Sequence, residues 1–436
     1  MDKSVGDGEV APEDQEKWMD TQWRPATENM QAVVAVVLAD VLASESRQRA
    51  IQARHYQQFE CSLTGLICAV AEHWASGGLG WLYTTRSRSK TKGSRYRPQI
   101  YSAGYPKLQD QLFECGWIDL RKGDQGPETV RKSRTTLRAS PRLRQLLTEH
   151  DISFYDFQLA PVSEVIELRT TKDFKSKEYE LVEYSDTDEA LKMRAQMDRI
   201  NAALLDADIV CIDTDYDDRQ RTMKRIFNNS DFSSGGRLYG GFWQRMSDTQ
   251  RLEEISINGE YVAVLDYDQM SLAIAYGLSG LPLPEGDLYQ IDGLSRVVDR
   301  EPRPTVKRVV NAMMNRKTPL TEYPKDIAPL TCQGGEEVYR ARWLADAILK
   351  KHAPIADWFE QGRGLELQRR DSDIATDVLL KLIDEGIIAL PVHDAFIVAL
   401  SKKDYARSVM IDTFQEHVGG EVKVSEKLPP IISIAA

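Results

Sequence analysis

The chain is 436 residues long, has a formal net charge of −11 and is 42% apolar, a composition ordinary for a soluble protein of two or three domains. No apolar run approaches the roughly 18 residues of a spanning helix, so no membrane partner is expected; the best run, near Ala32–Leu42, is interrupted by Asp40, and the acidic N-terminus is unlike a signal peptide. Five cysteines without a C-x-x-C pair and only six histidines argue against a disulfide framework, a zinc site and a His-built metallohydrolase. Free thiols in a reducing cytoplasm are the expectation.

Residues 1–25 are acidic and polar and read as a disordered tail. A helix is predicted from Ala26 to about Ala43. The charge asymmetry follows: residues 46–150 carry 18 Lys/Arg against 8 Asp/Glu, a balance of +10 that leaves −21 for the remainder. Arg86, Arg88, Lys90, Lys92, Arg95 and Arg97 lie among Ser, Thr and Gly and read as a basic loop. A second cluster comprises Arg131, Lys132, Arg134, Arg138, Arg142 and Arg144. A helix over Cys61–Ala75 precedes the loop, and a second starts near Pro106 and ends at Cys115-Gly116. Two short strands around a Gly/Pro turn then lead into an Arg-rich helix, Pro141–Leu147. Helices followed by a basic two-stranded hairpin resemble a winged-helix domain, expected over residues 26–150. Its loop and wing are candidates for sequence-independent contact with nucleic-acid phosphates. A solvated basic surface is the bland alternative.

Residues 151–230 read as a connector with helices. Strand-like runs at Val165–Arg169 and Glu178–Tyr184 precede a helix from about Asp188 to Leu205, with Leu191, Met193, Met197, Ile200 and Leu204 near one face. Asp213, Asp215, Asp217 and Asp218 read as a solvated acidic loop rather than a metal site. Arg221 and Arg225 precede a glycine-rich turn, GGRLYGG, and could reach a phosphate backbone. Ile255 to Asp266 is a hairpin around Asn258-Gly259, the strongest two-residue turn signal available. Its second strand ends on Asp266, and a helical pattern begins at Met270. Pro302 and Pro304 punctuate the start of a helix running to about Asn315. Arg303 and Lys307 share one face near its N-terminal end, where two cations could hold a triphosphate. Glu336–Phe359 reads as a core-facing helix broken at Pro354. Asp373–Ile383 and Tyr405–His417 read as further helices, and LPPIISIAA as a terminal strand.

Leu382 to Leu400 is the most telling stretch. Two six-residue apolar runs, Ile387–Val392 and Ala395–Leu400, are joined by His393 and Asp394 alone and predict a tight, buried hairpin. An acidic tip on an apolar hairpin puts a carboxylate where an unpaired charge is costly, and a bound cation would relieve that cost. Asp266, 128 residues upstream, is the candidate partner. A strand ending in Asp beside a hairpin tipped by Asp could hold two divalent ions. Mg²⁺ takes few carboxylates plus substrate phosphates, so two Asp suffice, and Mn²⁺ would fit the same donors. A hairpin with a merely solvated His-Asp tip is the competing reading.

Asp266-Tyr267-Asp268-Gln269-Met270 resembles the first palm motif of family A DNA polymerases, D-Y-S-Q-I-E-L-R, and Val392-His393-Asp394 resembles their third, V-H-D-E. Between them, Gln368-Arg-Arg-Asp-Ser-Asp373-Ile374 is similar to Q-G-x-A-A-D-I, with Gln and Asp at the same separation. Upstream, Gly236-Arg237-Leu238 matches the family's T-G-R-L. Gly-Arg-Leu-Tyr also echoes the related single-subunit RNA polymerases of phage type. Each match alone is weak; four in order over roughly residues 220–400 are a strong signal.

The resemblance implies an α+β fold: a polymerase right-hand palm of antiparallel sheet and helices with reduced fingers over residues 231–436 and a thumb-like helix in the connector; the winged helix, read from its own pattern, lies ahead of both. It implies template-directed transfer of a nucleotide from a nucleoside triphosphate to a 3′-OH on a DNA primer–template or other nucleic acid. Asp266, Asp394 and the main-chain carbonyl of Tyr267 would hold two Mg²⁺ ions. Lys307 and Arg303 would neutralise the β- and γ-phosphates, and His393 would position the primer end. Arg237 and Gln368 would contact the primer terminus or template in the minor groove.

Three departures stand out. The family's fingers helix reads R-x-x-x-K-x-x-x-(F/Y)-x-x-x-Y-G; Arg303 and Lys307 fit, but Asn311 and Asn315 occupy the aromatic positions. Ser271 replaces the Glu of D-Y-S-Q-I-E, which with those aromatics excludes the ribose 2′-OH. Ser271 and Asn315 therefore leave sugar selection open, with Tyr267 or Tyr276 as substitute gates, and an RNA polymerase or primase stands beside a DNA polymerase. The third departure is size, since 128 residues between the two Asp leave room only for reduced fingers. Two other classes also stay open. A non-catalytic DNA-binding replication or regulatory protein would be expected to lose a palm Asp or the Arg303/Lys307 pair, and all four are present. An HD-type phosphohydrolase needs further His ligands on spaced helices.

Overall fold

The computed structural model describes residues 15–44, 53–87, 94–123, 134–173, 176, 178–294, 298, 300–325, 327–332 and 339–430. Arg88, Lys90, Lys92, Arg131 and Lys132, residues 336–338 of the expected helix, and 431–436 of the expected terminal strand lie outside the described residues. The chain forms two compact units, Met1–Glu164 and Val165–Ala436.

The first unit runs β1 (Glu16–Trp18), β2 (Trp23–Pro25), α1 (Glu28–Ser44), α2 (Ala53–Ala75), β3 (Trp81–Tyr83), α3 (Tyr105–Glu114), β4 (Ile118–Arg121), β5 (Thr136–Ala139), α4 (Pro141–Glu149) and β6 (Phe157–Leu159). Four strands make a sheet in the order β1-β3-β5-β4, parallel between β1 and β3 and antiparallel elsewhere. The apolar stripes of α1 (Val33, Val37, Val41), α2 (Leu63, Leu66, Ile67, Val70) and α4 (Leu143, Leu147) meet in one core. Helix α4 starts where Ser140 accepts from Leu143 N at 3.2 Å and Pro141 fills the first turn.

Two expectations are corrected here. Residues 15–25 are not a tail, because β1 pairs with β3 and β2 with β6. Met19 and Trp23 are buried, and two such large side chains anchor a stretch that is otherwise polar. For the same reason the unit extends past residue 150, since β6 completes the two-stranded ladder with β2.

The second unit contains β7 (Ile166–Leu168), α5 (Asp188–Asp206), β8 (Ile209–Cys211), β9 (Lys224–Phe227), β10 (Gly235–Tyr239), α6 (Asp248–Glu254), β11 (Ile255–Ile257), β12 (Glu260–Tyr267), α7 (Met270–Leu278), α8 (Arg303–Asn315), α9 (Ala341–Lys351), α10 (Gly364–Asp384), β13 (Ala389–Val392), β14 (Ala395–Ala399), α11 (Lys403–Val418) and β15 (Val424–Lys427). Its main sheet runs β13-β14-β12-β11-β8, with β15 also on β12, and every one of these pairings is antiparallel. The fold is mixed α+β. Asn258 and Gly259, at φ 53° and 71°, make the two-residue turn between β11 and β12. Val262–Leu265 of β12 are all buried, as a central strand requires.

The smaller sheet, β10-β9-β7, ties residues 166–168 and 224–239 together, so the stretch expected as a connector is part of this unit from Val165 onward. Of GGRLYGG, the first five residues are a strand rather than a turn. Gly235 and Gly236, at φ 85° and 86°, make the register shift that lets β10 run on beside β9. Residues 178–184 form no strand beyond a single bridge from Leu181 to Arg169. Helix α10 begins nine residues ahead of the expected Asp373 and so carries Gln368. Among the described residues no helix is long and apolar enough to cross a membrane, and all five cysteines are unpaired.

Candidate functional site

The β13–β14 hairpin turns at His393 and Asp394, with Val392 paired to Ala395 and His393 at φ 59°. Pro391 is tolerated because β13 is the edge of its sheet. Its carbonyl accepts from Trp243 Nε1 at 2.9 Å and Gln244 Nε2 at 3.1 Å, which anchors the hairpin. Register then decides the rest. Asp266 pairs with Ala395, and Tyr267 N donates to the Asp394 carbonyl at 3.2 Å. Two acidic residues far apart in sequence thus come to neighbouring positions, Asp266 on β12 and Asp394 in the turn that leads into β14, and neither has an ion-pair partner among the described residues. Burial, and then the Asp394 charge, push the Asp266 carboxyl up to about 7; Lys427 and Lys307 oppose this and Asp268 adds to it.

Helix α8 presents its cations as its spacing predicts. Val306, Val309, Val310, Met313 and Met314 face the core, so Arg303 and Lys307 lie on the opposite, exposed side. Lys307 acts on Asp266 and has no ion pair among the described residues. Arg303 is engaged: its Nε donates to Asp287 Oδ2 at 2.6 Å, and its guanidinium carbon lies 5.5 Å from the centre of the Tyr289 ring. Tyr289 is buried, and burial pushes its hydroxyl up to about 12, with Arg303 opposing and Asp394 adding.

From the other side, β10 carries Arg237 and Tyr239 on one face. Tyr239 meets the His393 ring edge-on at 5.5 Å between centres. Burial and Arg237 lower the His393 pKa, Asp394 opposes them, and the buried Nδ1 has no hydrogen-bond partner among the described residues. Arg237 donates to Asp371 Oδ2 from Nε at 2.7 Å and lies 2.6 Å from it through Nη2. The Asp371 side chain is only 4% exposed, and its Oδ1 is buried without a hydrogen-bond partner among the described residues. Burial raises its carboxyl pKa, Arg237 lowers it, and Asp394 raises it again. Gln368 lies three residues before Asp371 on α10 and so shares its face.

Asp371, Tyr239, Tyr289 and Asp287 escaped the reading of the sequence. Asp371 left a signal. It stands where the similar polymerase motif has Ala, and it interrupts the buried stripe Leu367, Asp371, Ile374, Val378 of α10. A carboxylate on an apolar helix face is itself a sign of an unusual environment.

Several candidates lie elsewhere or are otherwise occupied. Arg225 is buried against Ser372, Asp373 and the Gly236 carbonyl, and Arg221 donates to the carbonyls of Ala207, Ile209 and Asp218, so neither guanidinium is free for a phosphate. The Asn315 amide donates to the Asn311 carbonyl at 2.8 Å and packs on Gly364 rather than forming a wall. Ser271 is half-buried in the first turn of α7. The hydroxyl of Tyr267 donates to the Met410 carbonyl at 2.6 Å, and that of Tyr276 lies 3.0 Å from His352 Nδ1, so both are committed to the core. The Asp213–Asp218 loop is a run of turns: Asp213 accepts from Asp215 N, Asp217 pairs with Arg219, and Asp218 accepts from Cys211 N. Among the described residues no three His, Cys, Asp or Glu side chains cluster as a metal cage.

In the first unit, Arg86 pairs with Asp110 at 2.7 Å and Arg95 with Glu164 at 3.2 Å. The Arg97 N–H closes a turn on Ser94, and Arg134 lies 4.8 Å from the Trp18 ring.

No protein-family profile matches the chain, and no curated protein matches it. Among solved structures it is similar to the POL domain of Pol1 from M. smegmatis, in complex with DNA primer-template and dNTP, at a TM-score of 0.32 and 12% identity. The alignment covers 93% of this chain and 66% of that one, so this chain spans just under two thirds of its length.

Proposed function

We propose that the chain is a template-directed nucleotidyltransferase whose chemistry runs on Asp266 and Asp394. One observation carries this reading: the strand register sets two ion-pair-free carboxylates side by side, with the Asp266 carboxyl raised to about 7 and the unpaired Lys307 acting on it. Hard carboxylate oxygens that no Lys or Arg among the described residues holds in an ion pair are a donor set that fits Mg²⁺ or Mn²⁺. Asp266, Asp394 and the Tyr267 carbonyl would hold two such ions, which when bound supply acidification of a 3′-OH and neutralisation of charge on the leaving pyrophosphate.

The chain's own side chains do the remainder. Lys307 meets the β- and γ-phosphates, and Arg303 joins it by exchanging Asp287 for phosphate. Arg237, oriented by Asp371, and Gln368 hold the primer terminus or template. His393, held edge-on by Tyr239, positions the primer end. With Asn315 turned onto its own helix and Ser271 small, no bulky wall is made by these two residues against a 2′-OH. Discrimination between dNTP and NTP is accordingly weak, which favours an RNA-synthesising or priming activity as the second reading. The first unit serves as a winged-helix-like nucleic-acid-binding domain with β4 and β5 as the wing.

Purified protein is incubated with a labelled primer–template, Mg²⁺, and dNTPs or NTPs in separate reactions. Asp266→Asn and Asp394→Asn should each lower incorporation by at least ~10²–10³-fold while retaining primer–template binding. Full activity in either variant removes the assignment. Strong rejection of NTPs by the wild-type protein removes only the reading of weak sugar discrimination.

A further inference from the structure

A cavity of about 550 Å³ opens in the first unit where strands of its sheet end. Its wall includes Trp18 of β1, Thr84 and Arg86 just after β3, Lys122 just after β4, and Arg134 and Thr135 just before β5. The volume is that of a site for a nucleotide-sized group. Three cations line it. Arg86 and Lys122 share a single carboxylate, Asp110, at 2.7 and 2.9 Å, and Arg134 has no carboxylate partner among the described residues. The wall is therefore net positive, and Asp110 keeps two of the cations fixed rather than neutralised.

The aromatic element is Trp18. Its ring stacks obliquely on Tyr83, with centres 5.4 Å apart, and the Arg134 guanidinium carbon lies 4.8 Å from it. Yet the residue stays 59% exposed, so ring surface is left uncovered beside the cations. Tyr83 is steadied from behind by its hydroxyl, which donates to Glu16, and Thr135 Oγ1 accepts from Gly123 N at 3.1 Å, closing the ends of β4 and β5 on each other.

We infer that this cavity is a binding site for single-stranded nucleic acid, in which one unpaired base stacks on Trp18 and the flanking phosphates meet Arg134 and Lys122. A stacking platform needs an open π-face, which a base inside a duplex does not offer. Asp110 holds Arg86 and Lys122 together while Arg134 lies against Trp18 instead, so the cations form two groups rather than one; this favours a strand over a free nucleotide. The inference rests on the reading of the chain as a nucleic-acid enzyme and names the form of strand that its first unit holds.

The test uses the full-length protein without triphosphates, so an inactive second unit leaves it readable. A short oligothymidylate, a blunt duplex of the same length and thymidine 5′-monophosphate are titrated while tryptophan fluorescence and, for the labelled oligomers, anisotropy are followed. The signal that belongs to the site is the quench present in the wild type and absent from Trp18→Ala. Oligothymidylate should produce it, and Trp18→Ala should weaken oligothymidylate binding on the order of tenfold. Trp18→Phe, which keeps a ring, should restore most of the affinity. Arg134→Gln and Lys122→Gln should each flatten the salt dependence of binding by about one unit of slope. Wild-type affinity and quench in Trp18→Ala overturn the site. An equal Trp18-dependent quench with the duplex overturns the single-strand assignment, and saturation by the monophosphate at the same concentration overturns the assignment to a strand. Should Trp18→Ala melt early, Trp18→Phe and Arg134→Gln decide the same questions, and wild-type salt dependence in Arg134→Gln counts against the proposal.

Discussion

Two arginine–aspartate pairs tie the small sheet of the second unit to α10, and they are put to different uses. Arg225 on β9 pairs with Asp373; Arg237 on β10 pairs with Asp371. The Arg225 side chain is 2% exposed, and its bonds to Ser372, Asp373 and the Gly236 carbonyl share it among three acceptors. Arg369 also bonds Asp373 at 2.9 Å, which closes the network. The Arg237 side chain is 24% exposed, both of its contacts go to one oxygen of Asp371, and the other oxygen is left buried without a hydrogen-bond partner among the described residues, within the field of Asp394. A satisfied ion pair is a fastener. An incompletely satisfied one within the field of a further carboxylate is a candidate site element, because its remaining hydrogen-bonding capacity is already desolvated.

The largest expected effect tests the fastener. Arg225→Met strips a buried guanidinium from its acceptors and should cost about 3–5 kcal/mol of stability, read by urea denaturation at pH 7. An unchanged midpoint would show that α10 is held by packing alone.

Next in size is a buried polar group that is satisfied without charge. His352 sits between Tyr276 and Leu288: the Leu288 carbonyl can only accept, so Nε2 donates to it and Nδ1 accepts from the Tyr276 hydroxyl in the neutral ring. Burial lowers its pKa from 6.5 to about 4. The unfolded chain therefore binds the proton first. Stability is complete above pH 6.5 and falls as pH drops toward 4, by up to about 3 kcal/mol from this residue. In His352→Gln that part of the acid slope should vanish. A wild-type slope in the variant would place the titration elsewhere.

Arg237→Lys addresses the other pair. The charge opposite Asp371 is kept and the two-pronged donor is lost, so stability should change by no more than about 1 kcal/mol, while the apparent KM for primer–template rises about tenfold. A large loss of stability with unchanged KM would make this pair a second fastener. Smallest is the effect at the other two-residue turn of the same sheet. Gly259, at φ 71° with nothing within 4 Å of where a Cβ would sit, should cost about 1 kcal/mol as Ala and leave incorporation as it was. That separates a turn that only joins strands from the turn that carries Asp394.

Local signals were legible in the sequence. Asn258-Gly259 and His393-Asp394 each stand between apolar runs and each make a two-residue turn, and the helix from Arg303 to Asn315 follows its prolines and its spacing. Such features depend on a residue and its near neighbours, so composition and period suffice to predict them. The adjacency of Asp266 and Asp394 was anticipated from the resemblance and from an acidic tip on an apolar hairpin; the register pair Asp266–Ala395 is what realises it. Partner choice was not legible. Arg225 and Arg237 look alike along the chain, and their acceptors lie 148 and 134 residues away, so only the docking of α10 on β9 and β10 makes one a buried fastener and the other a candidate for the site. Asp371 and Tyr239 come to the candidate site by the same route. Residues 15–25 acquire their strands only because β3 and β6 arrive beside them. Turn and helix chemistry is short-ranged, whereas burial, ion pairing and pKa are set by whatever the fold brings from far away.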